Sequence, residues 1–127
     1  MSTPSATTSP RSPLFTYLRD PKNPARVLTI ALSTENDIVE YGLAVNAPVL
    51  HGTLPGDRFT KRRGRQIASE RMILQRSPTN SGIVSGITES PRHAVIRFLA
   101  DHSAENTVRR ICRAALEDHE EYTSTAI

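Results

Sequence analysis

The chain has no tryptophan, one cysteine, six glycines and few aromatic residues (three Phe and three Tyr). A lone thiol, Cys112, excludes an intramolecular disulfide and a multi-cysteine zinc site. No apolar run approaches the ~20 residues that a membrane helix needs. The Ser/Thr/Pro-rich beginning has no apolar stretch of the secretory-signal type. These absences fit a protein of the reducing cytoplasm, without a membrane segment. Four histidines, His51, His93, His102 and His119, lie scattered rather than at metal-ligand spacing. Asp101 and His102 precede Ser103 directly, and adjacency in sequence does not build a catalytic triad. No glycine-rich phosphate loop is present. The reading is therefore of a protein that is not an enzyme and carries no cofactor and no metal.

What is present suits one domain. The 127 residues are 37% hydrophobic, a lean supply for a core. Residues 1–25 hold five prolines among many Ser and Thr, and are expected to form a flexible tail, because such a stretch buries too little to offset its ordering entropy. Within it, Leu14–Leu18 is a short apolar piece able to dock on the domain or on a partner chain. Residues 26–122 are read as a single domain and 123–127 as a second tail.

The fold class expected is α+β, an antiparallel hairpin or small sheet followed by helices, in the order β-β-α-β-α-α. Residues 26–34 and 38–46 read as two strands joined at Glu35–Asn36–Asp37, with Val39, Tyr41, Leu43 and Val45 alternating in the second. Asp57 is placed to cap a helix over 58–75, whose stripe is Thr60, Gly64, Ile67, Ala68 and Leu74. Gly64 inside a helix costs up to about 1 kcal/mol relative to Ala, so close packing is expected there. Residues 83–87 read as a short strand. Ser90–Pro91 starts a helix with Ala94, Val95, Phe98 and Leu99 inward. Ser103 would cap a last helix carrying Val108, Ile111, Cys112, Ala115 and Leu116, with Cys112 a plain core residue.

The +3 net charge hides an uneven distribution. Seven basic residues lie between Asp57 and Arg76, against two acidic ones. Lys61 and Arg65 fall one helical turn apart, forming either a solvated face or an anion surface. Arg71 lies inside the apolar stripe, so it needs a carboxylate or a bound anion. On the last helix, Arg109 and Arg113 are one turn apart, with Arg110 adjacent and Asn106 on their side. The pair could grip a phosphate bidentately, with Asn106 reading a ribose hydroxyl or base edge. Glu105 and Glu117, four residues to either side, could instead satisfy both arginines.

A strand ending A-V-N-A-P at residues 44–48, then D-R-F-T-K-R-R-G-R-Q-I-A-S-E-R at 57–71, resembles a phage-encoded family. The matching positions are Asp57, Phe59, Lys61, Gly64, Arg65, Ala68 and Arg71, and the resemblance covers residues 27–75. The family is the first type of Thoeris anti-defence proteins. Asn46 stands where a small residue or Cys is usual, and the 47–56 loop is longer. The resemblance implies a viral sponge acting in the host cytoplasm. It would bind and sequester a cyclic ADP-ribose-type immune signal, and in some members a cyclic oligonucleotide, without cleaving it. It also implies a homo-oligomer, dimer or higher. Carried onto this chain, it makes Arg109 and Arg113 the diphosphate clamp and the Lys61–Arg65 helix a second anion surface. The competing classes are a small basic nucleic-acid-binding protein, opposed by the acidic C-terminus, and an inhibitor docking on a host enzyme.

Overall fold

The computed structural model describes residues 13–48 and 58–125, with side chains of the last helix described as far as 118. The elements run β1 (Leu14–Asp20), β2 (Asn23–Glu35), β3 (Ile38–Val45), α1 (Lys61–Leu74), β4 (Ser81–Ser85), α2 (Pro91–His102) and α3 (Asn106–Thr125). The class is α+β, as the sequence suggests, with one strand more at the start. The four strands form an antiparallel sheet in the order β1-β2-β3-β4.

The extra strand corrects the expected 1–25 tail. Residues 14–20 pair with β2 from Leu14↔Leu32 to Arg19↔Val27. Alternation explains the pairing: Thr16, Leu18 and Asp20 are buried, while their neighbours are more exposed. The proline density of 1–25 masks this period-two pattern. Pro21 lies in the turn and Pro24 at the start of β2, where a missing N–H costs little. Residues 1–12 lie outside the described residues. At the other end, α3 continues to Thr125, past the boundary expected at 122.

The β2–β3 hairpin turns through Asn36, whose φ of 58° is left-handed, a conformation Asn tolerates. α1 starts later than expected. Thr60 is its cap, its hydroxyl accepting from Arg63 N at 3.2 Å, while Asp57 lies outside the described residues. α1 buries Gly64, Ala68 and Met72, and Leu74, expected inward, is largely exposed. Ser90 caps α2 as expected, accepting from His93 N. Ser103 does not cap α3. It closes α2, and its hydroxyl accepts from Glu105 N.

The sheet has unlike faces. On one, Leu18, Leu28, Ile30, Leu32, Val39 and Leu43 pack with Val95, Ile96 and Leu99 of α2 and Val108, Ile111 and Cys112 of α3. On the other, α1 lies on a small cluster of Ala31, Ala44, Ala68 and Met72. Small residues let it come close. A Cβ on Gly42 would run into the Ala68 carbonyl and the Met72 backbone, and one on Gly64 would sit 2.5 Å from Thr29 Oγ1.

Candidate anion-binding cleft

The α2/α3 face uses its arginines to hold the fold. Arg110 forms a two-point ion pair with Asp20, Nε to Oδ1 at 3.1 Å and Nη2 to Oδ2 at 2.7 Å. Arg26 adds a bond at 2.9 Å and Lys22 N another at 3.0 Å. Asp20 is fully buried, and the Arg110 guanidinium holds its carboxyl well below the usual carboxylate range, against the opposing effect of burial. Arg113 donates to the Ala100 carbonyl at 3.0 Å. Arg109 donates to the Ser103 carbonyl at 2.6 Å and to Asn106 Oδ1. Arg109 and Arg113 thus satisfy carbonyls at the end of α2, which the helix itself leaves open. Glu105 and Glu117, the helix partners foreseen from spacing, do not pair with them. Cys112 is a buried core thiol, its pKa pushed up to about 12 by burial.

The α1 face is organised differently. Lys61 Nζ sits 5.2 Å from the centre of the Tyr17 ring, and Arg65 lies over Phe15 at 6.0 Å while donating to the Tyr17 hydroxyl at 3.2 Å. Both cations therefore drape over aromatic rings of β1, with their charged ends exposed.

Beside them, a cleft of about 210 Å³ opens between the first half of α1 and the ends of β2 and β3. Thr60, Arg63, Gly64, Ile67 and Arg71 supply its helical wall, Val27, Thr29, Ala44 and Asn46 its sheet wall, and Arg58 and Phe59 its approach. Phe59 is propped edge-on against Tyr17, with ring centres 6.0 Å apart. Three arginines, Arg58, Arg63 and Arg71, line the cleft, the first two exposed. Arg71 is part-buried and donates from Nη1 to the Leu43 carbonyl at 2.8 Å. Among the described residues, no carboxylate pairs with Arg58, Arg63 or Arg71. The first turn of α1 contains no acidic side chain, so its N-terminal positive pole is uncompensated there.

The cleft also contains Thr29, fully buried, whose Oγ1 finds no hydrogen-bond partner among the described residues. Asn46 is committed elsewhere: its Oδ1 accepts from Val27 N at 2.7 Å and its Nδ2 donates to the Ala25 carbonyl at 3.0 Å. Among the described lining residues there is no carboxylate, imidazole or thiol. No group of three metal-ligating side chains occurs among the described residues.

Of the residues singled out from the sequence, Arg71 lies in the cleft, Lys61 and Arg65 flank α1 on its β1 side, and Asn106, Arg109, Arg110 and Arg113 belong to α3, which packs on the opposite face. Arg58 and Arg63 were legible only as members of the basic run and Phe59 only as a position of the resembled motif, none of them as a site residue, and Thr29 was not singled out. Thr29 carried a signal, a lone hydroxyl inside the apolar run VLTIAL. Arg63 carried none until Thr60 set the phase of the helix. No described helix is long and apolar enough to cross a membrane. Comparison with protein-family models, curated proteins and solved structures finds no match.

Proposed function

We propose that the protein binds a small phosphate-bearing nucleotide in the α1 cleft and holds it without cleaving it. The observation that carries this reading is that Arg58, Arg63 and Arg71 all line one cleft and that no carboxylate among the described residues pairs with them. Three cations without a carboxylate partner among the described residues, two of them exposed and Arg71 part-buried, favour an anion there. Phe59 and Ile67 offer apolar contact for a base or sugar. The described lining residues include no general base, which suits retention rather than turnover.

The resemblance of residues 27–75 to the first-type Thoeris anti-defence proteins points the same way. Within this proposal the ligand is a cyclic ADP-ribose-type signal, or a cyclic oligonucleotide, sequestered in the cytoplasm of an infected cell. The reading rests on the cleft rather than on Arg109 and Arg113, whose guanidiniums serve the end of α2. On this reading the cleft takes the phosphate end of such a ligand. Self-association, which would cover the remainder, belongs to the same proposal, and light scattering with and without ligand tests it.

The test is calorimetric titration of the full chain with a cyclic ADP-ribose nucleotide, followed by denaturation and chromatography of the released ligand. Saturable binding with intact release is expected. Release of a cleaved product overturns the sponge reading. The exposed and basic outer side of α1, with Lys61, Arg62 and Arg65, favours a second reading as a nucleic-acid surface. Binding to single- or double-stranded DNA that falls steeply with salt, without nucleotide binding, would establish it instead.

A further inference from the structure

We propose that the cleft reads the phosphate of its ligand and is indifferent to the base, and that Thr29 Oγ1 is the buried hydrogen-bond donor to that phosphate. The inference rests on the reading of the cleft as a nucleotide site, and it adds which part of the nucleotide is recognised and by which unassigned residue.

The chemistry of the lining supports the first half. The side chains available for polar contact are Arg58, Arg63, Arg71, Thr29 and Thr60, three of them pure donors. Discriminating one base from another takes a matched set of donors and acceptors. The one amide in the cleft, Asn46, is engaged at both its oxygen and its nitrogen in joining β3 to β2. Thr60's hydroxyl is engaged with Arg63 N as the helix cap. Among the described side chains, what is left for a base is apolar contact with Phe59 and Ile67, and every base has an apolar face.

The second half follows from the state of Thr29. A buried hydroxyl without a partner destabilises a fold, and such groups are uncommon in native structures. Valine has nearly the same shape and lacks the hydroxyl, so at this position packing alone gives no reason for threonine. Thr29 lies between β1 and β3 with Gly64 directly over it, where a Cβ would come within 2.5 Å of the hydroxyl. Gly64 packs directly over Oγ1, which has no exposed surface, so the bond to a phosphate requires α1 to ease away from β2 at this contact without a side chain. A phosphate oxygen entering beside Arg63 and Arg71 supplies the acceptor that Thr29 lacks.

Thr29→Val separates binding from folding in one variant. Removing an unpartnered buried hydroxyl leaves the melting temperature equal or higher, while phosphate affinity falls about tenfold, the scale of one hydrogen bond to a charged group. The probes are inorganic pyrophosphate, adenosine, and the 5′-monophosphates of adenosine, guanosine and uridine, titrated into the full chain. Expected are affinities within about threefold across the three monophosphates, adenosine at least tenfold weaker, and pyrophosphate competing. A preference above tenfold for one base overturns base indifference. Unchanged affinity in Thr29→Val overturns the role of Thr29. Pyrophosphate binding lost in Thr29→Val, with no nucleotide bound by either protein, overturns the nucleotide reading and leaves the anion seat standing. Absence of binding by every probe to the wild-type chain overturns both.

Discussion

The two faces of the sheet bury side chains of different size and use arginine in opposite ways. Against α2 and α3 the core is built from leucine, isoleucine and valine, each stabilising the fold by about 1.5–3 kcal/mol when fully buried. Against α1 the contacts come mostly from alanines and glycines, with Met72 the one larger buried side chain of the cluster, and each methyl is worth about 0.8 kcal/mol. On the first face Arg110 meets a buried carboxylate, and Arg109 and Arg113 close the end of a helix. On the second, Arg58 and Arg63 meet no carboxylate among the described residues, and Arg71 meets one carbonyl. An arginine-rich helix is thus ambiguous in sequence. The partner decides whether its charge holds the fold or awaits a ligand.

Breaking the first face has the largest effect. Asp20→Ala leaves Arg26 and Arg110, each about a quarter exposed, without their shared carboxylate, and the largest fall in denaturant midpoint among the variants is expected. Anion affinity of the folded fraction stays at the wild-type value, and a parallel loss of affinity would show that the faces are coupled. The same carboxylate sets the acid limit. It ionises in the native state well below the ordinary value of about 3.9. Its contribution is therefore complete above about pH 4 and is lost as pH falls below it. Asp20→Asn is expected to be less stable at pH 7 and to show a flatter fall in stability between pH 4 and pH 2. An acid profile parallel to that of the wild type would contradict this.

Hydrogen exchange sharpens the contrast at intermediate scale. The central amides of α1 are expected to exchange faster than those of α2 and α3, because the alanine-lined contact opens at lower cost. Uniform protection across the three helices would show the faces to be equally stable. The smallest effect belongs to the cleft arginines. Arg58→Ala and Arg63→Ala are each expected to change stability by no more than about 0.5 kcal/mol. A larger loss in thermal unfolding would mean that these arginines support the fold.

Much of the fold was legible because its signals are local. The Ser90–Pro91 start of α2, the Asn36 turn and the stripe of Val108, Ile111 and Cys112 each announce themselves within a few residues. β1 was legible only as the apolar piece Leu14–Leu18 able to dock on the domain and not as a strand, because Pro13, Pro21 and Pro24 surround it and proline at a strand's margin looks in sequence like proline in a tail. Within the candidate site, Arg71 was legible as a cation in an apolar stripe. Thr29 and Gly64 become a pair only when β2 lies beneath α1, and residues 35 apart carry no spacing signal. The partner of Arg110 was similarly out of reach, since Asp20 is 90 residues away.

The most direct test of the division between the faces is a backbone NMR titration of the full chain with adenosine 5′-monophosphate. The predicted result is saturable shifts confined to the first half of α1 and the ends of β2 and β3, with Thr29, Gly64 and Ile67 among the largest. Shifts centred instead on Ser103, Asn106 and Arg109 at the α2–α3 junction would contradict it and return the ligand to the arginines of α3.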